Sequence, residues 1–86
     1  MKLQYTKHAE ATLEEREIAK ETVEELIRDP QQVIKGNGNK QIVQGIMNRA
    51  NQEFLLRVVY IEAAGTTKVI TAYWTSKIDK YWEGSR

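Results

Sequence analysis

The sequence holds one histidine, His8, and no cysteine. A catalytic zinc centre draws several ligands from His, Cys and carboxylates. Here the carboxylates are scattered along helix-forming segments, so no metal site and no bound cofactor are expected. Ser76 and Ser85 lack the glycine-rich surroundings of a nucleophilic serine. Neither a phosphate loop nor a dinucleotide fingerprint is present. What remains is a set of His, Arg, Tyr and Lys side chains, and it suits one reaction. Cleavage of RNA by its own 2′-hydroxyl needs a general base, a general acid and cations facing the charge that develops at phosphorus. Imidazole moves protons near neutral pH. Guanidinium grips phosphate oxygens with a planar fork, and a tyrosine ring stacks on a base or serves as a weak acid. The expected catalytic set is His8, Arg16, Arg57 and Tyr73, with Arg49 and Lys77 as RNA contacts.

Each of these residues also has an ordinary structural role to set beside the chemical one. His8 in the first turn of a helix is a surface or packing residue. Arg16, flanked by Glu10, Glu14 and Glu15, is a partner for acids on its own helix. Tyr73 and Trp74 pack at the core or an edge. Lys77 and Lys80 solubilise. Arg57 is the one charge in the apolar run Phe54–Ile61 and must reach water or a partner.

The elements that must position these residues centre on residues 54–74. FLLRVVYI and KVITAYW are short runs of strand-forming residues joined by a turn at Gly65. Alternation puts Leu56, Val58, Ile70 and Ala72 on a dry face, and Arg57, Val59, Thr71 and Tyr73 on a mixed one. Before this hairpin, KLQY suggests a first strand, and Thr6 offers a helix cap for Lys7 to Glu17. A second helix is expected from Lys20 to Arg28 on the Val23, Leu26, Ile27 stripe, ended by Asp29-Pro30. Strands at 33–36 and 40–47 flank Gly36-Asn37-Gly38-Asn39, a hairpin signal. Ser76 is placed to cap a last helical turn carrying Ile78, Tyr81 and Trp82.

The expected fold class is α+β: two N-terminal helices on one face of a mainly antiparallel four- to five-stranded meander sheet. With 86 residues the chain makes one domain, 1–86. The absence of cysteine fits a reducing cytoplasm. The N-terminus has no apolar core of a signal peptide, and no run is long enough to span a membrane. Net charge is +1 but uneven: residues 1–29 carry five basic and eight acidic side chains, residues 30–86 eight basic and four acidic. A basic strand half points to nucleic acid on the sheet side.

The runs Thr6-Lys7-His8-Ala9 and Glu15-Arg16-Glu17-Ile18, then Val23 and Asp29-Pro30, resemble the opening of a bacterial family known as domain of unknown function 4258. The strands LLRVVY and VITAYW resemble its later segments. The chain departs at Glu17, where the family often has Gly, and at Ala19, where it often has Ser. The family's layout is similar to small ribonuclease toxins of the RelE and BrnT kind. The resemblance implies His8, Arg16, Arg57 and Tyr73 as the positions to test, although Tyr73 stands where the BrnT-type ending has Arg. Three readings follow: a metal-independent RNA-cleaving toxin-like domain, with an antitoxin-like protein as partner; a protein-binding module without catalysis; and a structural domain, monomeric or homodimeric. Convergence of His8, Arg16, Arg57 and Tyr73 on one concave surface separates the first from the others.

Overall fold

A computed structural model describes residues 2–86. Its strands and helices run β1 (Lys2–Tyr5), α1 (Lys7–Glu15), α2 (Lys20–Arg28), β2 (Gln32–Lys35), β3 (Lys40–Arg49), β4 (Gln52–Ala63), β5 (Thr66–Thr75) and α3 (Ile78–Tyr81). The five strands form one sheet in the order β1-β5-β4-β3-β2. The chain crosses from one edge to the other through α1 and α2, then returns by three hairpins. β2 to β5 are antiparallel neighbours, while β1 pairs in parallel with the first half of β5, from Thr66 to Val69.

Local chemistry explains most boundaries. Thr6 caps α1, its hydroxyl accepting from Ala9 N at 2.9 Å and donating to the Ile70 carbonyl at 3.2 Å. One residue thus starts the helix and ties it to β5. α1 stops at Glu15, not Glu17. Glu17 adopts a left-handed conformation (φ 55°), and Ile18 N reaches back to the Leu13 carbonyl at 2.8 Å. That is the closure a helix-terminal glycine usually provides. The two helices are therefore separate, and α2 begins at Lys20, its N-cap position occupied by Ala19 without any side-chain cap. The β3–β4 and β4–β5 hairpins turn at Ala50-Asn51 and Ala64-Gly65, each pair with positive φ, as two-residue turns between twisted strands require.

The helices cover one face. Ala9, Leu13, Ile18, Val23 and Leu26 pack on Val43, Leu56, Val58, Tyr60, Val69 and Ala72. Leu56, Val58 and Ala72 take the face their alternation assigns. Ile70 does not: the register slips between Val59 and Tyr60, so Val69 pairs with Tyr60 and enters the core instead. β3 is buried on both sides at Val43, Gln44 and Gly45. Gly45 lets α2 approach, since a β-carbon there would stand 2.8 Å from Leu26 Cδ1. The second face is partly closed by α3, whose N-cap is Lys77 rather than Ser76; Thr75 Oγ1 accepts from Lys77 N at 3.0 Å. Among the described residues no helix is long and apolar enough to cross a membrane.

A non-glycine residue in the left-handed region carries a cost of about 1–2 kcal/mol. Glu17→Gly is therefore expected to raise stability by about 1 kcal/mol in urea unfolding. A loss of stability would show that the Glu17 side chain contributes more than its backbone costs.

Candidate nucleic-acid interface

Four polar side chains cross the second face in register, one from each of four strands: Gln32 opposite Gln44, Gln44 opposite Arg57, and Arg57 opposite Tyr73. Arg57 is only 8% exposed and Gln44 is fully buried. Arg57 Nε donates to Gln44 Oε1 at 2.9 Å, and Nη1 donates to the Tyr73 hydroxyl at 2.6 Å. Gln44 Nε2 donates to Gln32 Oε1 at 2.7 Å and to the Tyr81 carbonyl at 3.0 Å. Gln32 grasps the main chain of Glu83, donating to its carbonyl at 2.7 Å and accepting from its N–H at 3.1 Å. The Tyr81 ring lies 4.3 Å from the Arg57 guanidinium, with Lys80 Nζ 5.3 Å from that ring. Arg57 Nη2 has no partner among the described residues, yet it is not sealed from solvent. The polar side-chain atoms both sealed and unpartnered there are Tyr5 Oη and Trp74 Nε1.

Two further arginines reach the same end of β5 by other routes. β1 covers β5 only as far as Val69, which leaves the Ala72 carbonyl open at the edge. Arg16 Nη1 donates to it at 2.7 Å. Arg49 lies 4.9 Å from the Trp74 ring and donates to the Arg16 carbonyl at 3.5 Å, at the C-terminus of α1. Phe54 meets Trp74 edge to face, with centroids 6.5 Å apart. Three arginines thus touch three consecutive residues: Arg16 on Ala72, Arg57 on Tyr73, Arg49 on Trp74. Among the described residues the ion pairs are made by Lys20 with Glu10 and by Arg86 with Glu53 and Asp79, and these three arginines have no carboxylate partner.

The structure joins Arg57 to Tyr73 and Arg16 to Arg49, and it gathers all four around residues 72–74. It does not bring His8 to them. His8 is exposed in the first turn of α1, makes no hydrogen bond among the described residues, and lies about 12 Å of helix rise from Arg16. α1 also packs on the face opposite Arg57 and Tyr73. Lys77 is exposed just beyond β5. Among the described residues no three His, Asp or Glu side chains gather closely enough to hold a metal ion. Sequence reasoning missed Gln32, Gln44 and Tyr81. The available signal was parity: Gln44 in the IVQGI run falls on the same face as Arg57 once β3 and β4 pair.

A five-stranded α+β sheet, two helices on one face and a cation-rich end of β5 define the class of domain. The chain belongs to the family described as Domain of unknown function (DUF4258), whose model matches residues 5–74. No curated protein and no solved structure matches it.

Gln44→Leu would strand Arg57 Nε, and Arg57→Met would strand Gln44 Oε1. Each is expected to cost about 2–3 kcal/mol in urea unfolding. The double variant should fall short of the sum by about 1–2 kcal/mol. Additivity would mean that the two side chains do not depend on each other.

Proposed function

We propose that this domain binds single-stranded RNA, in the cytoplasm, at the C-terminal end of β5. The observation that carries the reading is the approach of three arginines, which have no carboxylate partner among the described residues, to the consecutive residues Ala72, Tyr73 and Trp74 from both faces and the edge of the sheet, with the Trp74 ring against Arg49 and the Tyr81 ring against Arg57. Guanidinium groups neutralise phosphates, and exposed ring edges and faces receive unstacked bases. The uneven charge favours the same side: the sheet half is basic and the helical half acidic. Ribonuclease action of the RelE or BrnT kind is the stricter form of this reading, with phosphate held by Arg16, Arg57 and Tyr73 and a proton moved by His8. The distance of His8 from that group makes binding the function the geometry supports best.

Fluorescence anisotropy with a labelled mixed-sequence RNA tests it. Binding should weaken steeply with salt, and Arg49→Ala or Arg16→Ala should each lower affinity about 5–10-fold and flatten the salt dependence by about one charge. Absence of binding at low salt would refute it. Growth arrest on induced expression, relieved by His8→Ala, would establish the cleaving form.

A protein partner has separate support. β2 is an edge strand, and Val33 on it is 55% exposed. An antitoxin-like protein or a second copy would add a strand there. If so, Val33→Lys should abolish the association in sedimentation without changing RNA binding; an unchanged complex would exclude the β2 edge.

A further inference from the structure

The family match ends at Trp74, yet the segment that follows lies over the arginine it shares with the RNA-binding reading. Residues 76–86 cross the second face of the sheet and are fastened there mainly by their own main chain. Gln44 takes the Tyr81 carbonyl, and Gln32 takes both the N–H and the C=O of Glu83. Ile78 is the buried apolar anchor. Arg86 adds exposed ion pairs to Glu53 and Asp79, and such pairs hold little. α3 itself is four residues long and has no side-chain cap. A helix that short does not sustain itself, so the segment depends on its attachments to the sheet.

The contacts of this segment imitate a bound strand of RNA. The Tyr81 ring covers the Arg57 guanidinium at 4.3 Å, as an unpaired base would stack on it. Amide groups of Gln32 and Gln44 that now hold the Tyr81 and Glu83 main chain would be free for base edges or sugar hydroxyls once it leaves. Within the row of Gln44, Arg57 and Tyr73, this segment meets Arg57 through the Tyr81 ring and Gln44 through the Tyr81 carbonyl.

We infer that residues 76–86 are an intramolecular occupant of the RNA site, a strap that lifts when RNA binds. The inference rests on the RNA-binding reading. In that state Arg57 keeps Tyr73 and Gln44, exchanges the Tyr81 ring for a base, and Gln32 gives up the Glu83 main chain. The strap sets affinity by competition: the site is available only in the fraction of molecules whose strap is open.

Amide hydrogen exchange on the wild-type chain, with and without saturating single-stranded RNA, reads this directly. Trp82 N, bonded to the Ile78 carbonyl, and Glu83 N, bonded to Gln32, are the reporters. Their exchange should quicken at least tenfold on RNA binding, while core amides of β4 stay protected. Ile78→Ala, which loosens the strap without touching Arg57, should raise RNA affinity about 5–10-fold. RNA binding that leaves these two amides as protected as before, or an Ile78→Ala variant of unchanged or weaker affinity, would overturn the strap and leave the RNA reading standing. Failure of both wild type and Ile78→Ala to bind RNA would remove the RNA reading itself.

Discussion

Arg57 is a cation held in the middle of a sheet, and a buried cation must be solvated by something other than water. Its Nε and Nη1 are answered by Gln44 and Tyr73, and its face by the Tyr81 ring. These demands propagate. Gln44 becomes fully buried and must itself be satisfied by Gln32 and the Tyr81 carbonyl. Gln32 in turn fixes Glu83. The row therefore depends on the pairing register of four strands at once, because a one-residue slip would move each of these side chains to the opposite face. It also explains why a short helix after β5 lies where it does.

The opposite face follows a simpler rule. Leu56, Val58 and Ala72 are apolar, the helices supply Ala9, Leu13, Val23 and Leu26, and Gly45 gives α2 room. Burial is non-directional, so this face tolerates the bulge that exchanges Ile70 for Val69. The polar face has no such latitude. One side of the sheet thus supplies most of the hydrophobic stabilisation, and the other fixes pairing and carries the chemistry. β5 is where the two meet: Tyr73 belongs to the polar row, Trp74 packs toward the helix side, and the Ala72 carbonyl at the edge is left for Arg16 because β1 is short.

Much of this was legible in the chain. Asp29-Pro30 ends α2, the Val23, Leu26, Ile27 stripe faces the sheet, and alternation alone places Arg57 and Tyr73 side by side once β4 and β5 pair. The family's opening around His8 and Arg16 was legible too. Other features were not. Glu17 as a residue type does not announce that it closes a helix in a conformation suited to glycine; the Gly that the family often has there was the one sign of it. Arg16 reads as a partner for neighbouring glutamates, yet it crosses to a carbonyl 56 residues away. Arg49 reads as part of a polar turn, yet it stacks on Trp74.

The sequence by itself determined the order of the elements, the Thr6 cap, the Asp29-Pro30 stop and the face shared by Arg57 and Tyr73, because these depend on neighbours within a few residues and on fixed periods of backbone geometry. Only the tertiary structure decided that three arginines reach residues 72–74 from the two faces and the edge of the sheet, that His8 stands apart from them, and that the last residues fold over Arg57. Those outcomes depend on strand order and on where β1 stops along β5, and both are set by pairings between residues distant in the chain.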